Sequence, residues 1–367
     1  MRNALRHRIL AFALLVAVCA GGGCAAPATV SNPLGTESAP PQTGGGGGML
    51  PLPDSLIEIE GSTRLRGMLV VSLESLRGVA FVNPDSRRVF GMAPVGWSPH
   101  EIAVSPDRTQ IFVVNFDGDR FGAGSISILS ATSRREIDRL DLYPYGGFHG
   151  LAATRSGTYL YVASETRRSI LEVNLLSRLI ERTFPLPHGT PNQIALDPTE
   201  TRLYVTDADG PLLFAVNLTG SDITETHVGE GPEGVALSPD GSALWVANRD
   251  DGSVTVLDPY TLAPITTMVS GRAPVRIAFT PDGARAVVVN AGDGSVAIFD
   301  GHTRARLNSV PVGTYPLGVA VDPDGTKAYV ASTRDNDISV VDLTRNTVLE
   351  RIRVGAVPFD VAFVETR

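Results

Sequence analysis

Cysteine is nearly missing from this chain. Among 367 residues only Cys19 and Cys24 carry a thiol, both close to the N-terminus. Everything after them lacks a disulfide framework, a thiolate nucleophile and any cysteine-held metal. Lysine is as scarce: Lys327 stands alone, and the other basic side chains are arginines. Phosphate-cradling loops, a nucleophile elbow and metalloprotease helices are absent too. The run Gly44 to Gly48 lacks a strand–helix context and is a linker only. No apolar stretch near the start is long enough to span a bilayer comfortably, since Ile9 to Val18 is too short.

What is present at the start is an address. Arg2, Arg6 and Arg8 precede that apolar run, which has the flanks of a secretory signal. The following Cys19-Ala20-Gly21-Gly22-Gly23-Cys24 resembles a bacterial lipobox, with lipidation expected at Cys24. Gly21 departs from that pattern, which prefers Leu there, and ordinary cleavage near Ala20 or Ala26 is the alternative. Residues 1–23 are therefore read as a signal peptide, 24–60 as a tether and 61–367 as one domain. Pro33, Pro40, Pro41, Pro51, Pro53 and the glycine run leave the tether too little apolar surface to fold. Loss of the leader moves the net charge from −8 to −11, with 28 basic against 39 acidic residues. That balance repels phosphate backbones and anionic lipid, so nucleic acid is excluded and membrane contact is expected only through the lipid.

The domain repeats. Ser238-Pro239-Asp240-Gly241 precedes Leu244-Trp245-Val246-Ala247-Asn248; Thr280-Pro281-Asp282-Gly283 precedes Val287-Val288-Val289-Asn290; Asp322-Pro323-Asp324-Gly325 precedes Tyr329-Val330-Ala331-Ser332. The polar residue closing that strand gives a ruler: Asn115, Ser164, Asp207, Asn248, Asn290 and Ser332, at intervals of 49, 43, 41, 42 and 42. The long first interval holds the insertion Asp117 to Gly124, and an earlier copy ends at Ser72, making seven. Strand-rich units of roughly 40–45 residues are propeller blades. Each reads as four strands, with the Pro-Asp-Gly turn after the inner one. The first unit lacks an inner strand, and Phe359 to Val364 matches an inner strand with no blade of its own. Pairing the two closes a seven-bladed all-β ring and removes two exposed edges.

The Pro-Asp-Gly turns and the strands Tyr161-Val162-Ala163-Ser164, Tyr204-Val205-Thr206-Asp207 and Tyr329-Val330-Ala331-Ser332 resemble the YVTN-repeat β-propellers. The resemblance covers the whole mature domain. It implies exported or surface-layer-like proteins and is specific for fold, because relatives serve as binding platforms, lactonases and parts of redox systems. The recurring Gly-His and Trp-Asp marks of WD40 repeats are missing.

Each inner strand of a propeller starts at the channel mouth. The two positions there are His100-Glu101, His149-Gly150, Asn192-Gln193, Glu233-Gly234, Val275-Arg276, Leu317-Gly318 and Phe359-Asp360. The turns at Arg167-Arg168, Asp207–Asp209, Arg249–Asp251 and Arg334–Asp337 should rim the same face. A concave mouth with convergent polar groups is the default ligand site. The expected binding set is His100, Glu101, His149, Asn192, Gln193, Glu233, Arg276 and Asp360. His100 and His149 read as an acid–base or metal pair, or as channel lining hydrated by trapped water. Two histidines without a third ligand assign no metal, and no cofactor or catalytic set is assembled. Arg276 is expected either to hold an anionic ligand or to neutralise Asp360 or Glu233 across the channel. Asp240, Asp282 and Asp324 read as turn caps on the opposite face, and His188, His227 and His302 as surface residues. The leading expectation is a monomeric, lipid-anchored platform that binds a cell-envelope protein or saccharide. A lactonase-like enzyme and an accessory of a quinone-linked redox system are the alternatives.

Overall fold

The computed structural model describes residues 66–116 and 124–365. The expected signal peptide, the expected lipidation site Cys24, the expected tether and most of the insertion after Asn115 lie outside the described residues. Among the described residues no helix is long and apolar enough to cross a membrane.

Twenty-eight strands form seven four-stranded antiparallel sheets, each running in chain order from its inner to its outer strand, except the first. There the inner place is taken by the C-terminal strand Pro358–Glu365, hydrogen-bonded to Gly67–Leu73 with Val70 opposite Ala362 and Met68 opposite Val364. The remaining inner strands are Pro99–Val104, Phe148–Ala153, Pro191–Leu196, Pro232–Leu237, Pro274–Phe279 and Pro316–Val321. Each packs against the next, and Pro358–Glu365 packs against both Pro316–Val321 and Pro99–Val104. The ring is closed: the protein is an all-β, seven-bladed propeller. Blades are numbered here from the one containing both ends.

Sequence pattern follows position in the blade. The second and third strands have a sheet neighbour on each side and a blade on each face, so they are nearly continuous in Val, Ile, Leu and Ala and almost wholly buried, as in Arg285–Asn290 and Ser295–Asp300. The outer strands alternate, since one face meets solvent: Arg135–Asp141 places exposed residues at every second position. Aromatic residues fill the wedges between blades, with Trp245 packed edge-on to Phe279 and Phe299. Burying a side chain of that size contributes about 3–5 kcal/mol, judged by the cost of truncating one.

The far ends of the inner strands carry the Pro-Asp-Gly turns, where Gly241, Gly283 and Gly325 adopt φ of 71°, 71° and 67°. Asp240 and Asp282 cap these turns, accepting from Ser238 and Thr280 hydroxyls at 2.6 Å and from the amides of Ser242 and Ala284. Asp324 does not. Its turn opens with Asp322 instead of Ser or Thr, and Asp322 itself accepts the Thr326 and Lys327 amides, leaving Asp324 exposed. His188, His227 and His302 are exposed, and His188 pairs with Glu225 at 3.0 Å.

Candidate functional site

The start of every inner strand does face one mouth, and its second ring position follows a rule that the structure makes plain. Going round the blades, that position is Asp360, Glu101, Gly150, Gln193, Gly234, Arg276 and Gly318. Side chains alternate with glycines. A Cβ on Gly150 would stand 2.5 Å from the Ile194 amide nitrogen, one on Gly234 2.8 Å from the Val275 carbonyl oxygen, and one on Gly318 2.6 Å from the Asp360 Cα. Adjacent inner strands approach too closely for two side chains in succession. With an odd number of blades, the alternation must fail once. It fails between blades one and two, which sets Asp360 beside Glu101.

Glu101 is the hub. Its Oε1 accepts from Arg276 Nη2 at 2.7 Å and from Gln193 Nε2 at 2.8 Å, and lies 3.8 Å from His149 Nδ1. Blades two, three, four and six thus share one carboxylate. Blades two and six are three steps apart by the shorter way round, so the Arg276–Glu101 pair crosses the centre. Arg276 therefore pairs neither with Asp360 nor with Glu233. Glu233 is held instead by Arg249 Nη1 at 2.9 Å, and Asp360 Oδ2 accepts the Ile102 amide at 3.0 Å.

The two histidines have different surroundings. His149 lies between carboxylates, its Nε2 3.4 Å from Glu165 Oε2. Burial pushes its imidazole toward the neutral form, but Glu101 and Glu165 outweigh that and raise its pKa to about 9. His100 stacks on Phe359 with centroids 4.0 Å apart and on Phe116 at 5.0 Å. Burial depresses it to about 4, so it is neutral at physiological pH. Burial works against the Glu101 charge, yet His149 and Arg276 hold its carboxyl down to about 2. Burial dominates at Asp360, where Arg276 only partly offsets it and the Glu101 charge adds to it, giving about 6.

Of the expected set, the structure brings Glu101, His149, Gln193 and Arg276 into direct association, with His100 and Asp360 adjoining. Glu233 sits apart on Arg249, and Asn192 is half-buried beside Gln193. His100, Glu101 and His149 each bring one donor atom into a group whose members lie within 4.8 Å of one another. Phe116, Glu165 and Arg249 were not anticipated as a set. Each is the residue directly after a ruler residue, Asn115, Ser164 or Asn248. That register position forms a second ring around the mouth, and the ruler itself is the signal that finds it. Ser98 and Glu74 add to the rim: the Ser98 hydroxyl donates to Glu74 Oε1 at 3.2 Å and lies 3.5 Å from His100 Nε2. Burial raises the Glu74 pKa, which the Ser98 hydrogen bond opposes.

No protein-family model matches the chain, and no curated protein matches it in sequence. Solved structures do resemble it. A functionally unknown protein from Desulfotomaculum acetoxidans superposes with a TM-score of 0.71 at 14% identity, over 82% of this chain and 99% of that one. A candidate 6-phosphogluconolactonase from Bacteroides uniformis gives 0.70 at 17% identity, over 82% and 100%. Kuenenia stuttgartiensis hydrazine synthase gives 0.65 at 18% identity, over 75% and 92%. At such identities the likeness is one of fold, the seven-bladed propeller, and of nothing further.

Proposed function

We propose that the chain is an exported, lipid-anchored propeller that binds a cell-envelope protein or saccharide at its channel mouth without transforming it. One observation carries the reading. Blade packing needs no polarity at the mouth, for Val275, Leu317 and Phe359 fill the same slot as His100 and His149. Yet among the described residues His100 Nδ1 and Glu101 Oε2 are buried there with no hydrogen-bond partner. A buried polar atom that the fold leaves unsatisfied needs an explanation, and for two of them side by side at a channel mouth we take it to be a bound ligand. Hydroxyls near the mouth are spent on other acceptors: Ser72 on the His100 carbonyl, Ser98 on Glu74, Thr206 on the Glu233 carbonyl.

The test is a thermal-shift screen of envelope saccharides and peptides against the full chain, followed by Asn192→Ala and Glu233→Ala. A ligand at the mouth should lose its shift in these variants; a shift surviving both places it elsewhere. Anchoring has its own test. Globomycin, which blocks the lipoprotein peptidase, should make the precursor accumulate, and normal maturation of a Cys24→Ser variant would count for simple secretion.

A second reading, a lactonase-like hydrolase, is favoured by His149 lying between Glu101 and Glu165 with Arg276 near, an acid–base group beside a guanidinium. Hydrolysis of 6-phosphogluconolactone by the purified chain, abolished by His149→Asn, would establish it over the first.

A further inference from the structure

The mouth has a more particular chemistry than polarity. Two residues there are held at one end and free at the other, and a third stands between carboxylates beside them. Glu101 has its Oε1 fixed by Arg276 and Gln193, while Oε2 has no partner among the described residues. His100 has its Nε2 near the Ser98 hydroxyl, while Nδ1 likewise has no partner among the described residues. His149 has its Nε2 against the Glu165 carboxylate, while Nδ1 faces Glu101. His100 and Glu101 are only 8% and 4% exposed, so bulk water does not satisfy these atoms.

That is the arrangement of a metal site with its outer shell in place. Ligating histidines donate their other ring nitrogen to a carboxylate or hydroxyl, and ligating carboxylates are themselves hydrogen-bonded. The geometry points to a divalent-cation site formed by His100, Glu101 and His149, with Glu165, Gln193, Arg276 and Ser98 orienting the ligands. One donor atom from each lies within 4.8 Å of the others, a spread that small side-chain adjustments close around an ion. Two imidazoles and one carboxylate suit zinc and its neighbours in the first transition row better than calcium or magnesium, which prefer all-oxygen shells. Three protein ligands leave one place in a tetrahedral shell for a further ligand, as in zinc sites that take one up. Glu101 and Glu165 supply the negative surroundings, and Arg276, bonded to Oε1, leaves Oε2 for the cation. The ion takes the place of the proton that the two carboxylates hold on His149, and that proton is released on binding. The inference rests on the mouth geometry alone and does not need an organic ligand to be bound there.

The test uses the full chain, stripped with a chelator and titrated calorimetrically with zinc chloride. One equivalent should bind, and the same equivalent of cobalt(II) should give the visible bands of a nitrogen-ligated ion. His149→Asn removes a ligand while keeping both members of the Arg276–Glu101 pair, and should abolish that equivalent in a variant that still melts cooperatively. Glu165→Gln, which disturbs only the outer shell, should weaken binding by about 10- to 100-fold. A triple change of His188, His227 and His302 to Asn should leave it intact, which separates the mouth from adventitious binding at the surface. The proposal falls if the wild-type chain takes up no zinc at one equivalent, if His149→Asn binds as the wild type does, or if the triple change abolishes binding. A chain that takes one zinc but shifts with no saccharide or peptide fails the platform reading and leaves this one standing.

Discussion

Glu101 on the second blade and Arg276 on the sixth meet at 2.7 Å across the propeller channel, and both are largely buried. Breaking a buried pair from one side leaves an uncompensated charge, at about 3–5 kcal/mol. Arg276→Met should therefore destabilise the domain strongly, by far more than loss of an exposed ion pair. Adding Glu101→Leu should recover much of the loss, since an apolar pair of similar size removes both desolvation penalties. Chemical denaturation of the two single variants and the double variant measures the coupling. Additive losses would mean that the two side chains do not act as a pair.

Glycine at alternate blades is a packing requirement. Gly234→Ala should cost about 1–3 kcal/mol, because its Cβ would press on the Val275 carbonyl of the next inner strand at 2.8 Å. Gly157→Ala has open space around it but a φ of +68°, so any loss there is backbone strain alone. Comparing the melting of the two variants separates packing from conformation. An unchanged Gly234→Ala protein would show that adjacent inner strands can move apart.

The architecture was legible because a propeller writes its period into the chain. The ruler residues fixed the blade count, and the orphan strand at Phe359 to Val364 fixed the closure. Pairing across the channel was not legible. Arg276 has Glu101, Glu233 and Asp360 as possible partners in the sequence, and choosing among them requires the angles of the blades around the axis. Parity was readable but unread: seven positions alternating with glycine must bring two side chains together, which predicts the Asp360–Glu101 neighbourhood. At Asp324 the repeat misled, since an Asp two residues into the turn caps it only where the first residue is Ser or Thr.

Closure by the C-terminal strand should be essential to cooperative folding. Val361 and Val364 are buried, and the Asp360 amide donates to the Ser72 hydroxyl at 2.9 Å. Ending the chain after Gly355 removes these contacts and bares the edge of Gly67–Leu73. The truncated chain should lose its single sharp melting transition. Melting indistinguishable from the full chain would mean that the ring holds without its closing strand.

Asp337 breaks a second repeat. The first residue of the third strand is Ser125, Ser169, Ser253 or Ser295 in four other blades, and Asp337 in the seventh. Asp337 is buried, its Oδ1 has no hydrogen-bond partner among the described residues, and Arg351 is 3.5 Å from its other oxygen. Burial raises its pKa, only partly offset by Arg351, so the folded chain holds this proton more tightly than the unfolded one. The stability that the protonated carboxyl allows is present below the unfolded value and is lost as pH rises through the folded one. Asp337→Ser should therefore raise the melting temperature at neutral pH and have a smaller effect at pH about 4, near the ordinary carboxylate value. Thermal melts of both proteins across that window read the difference directly. A benefit largest in acid, or a loss at neutral pH, would mean that the Arg351 contact stabilises the charge more than burial penalises it.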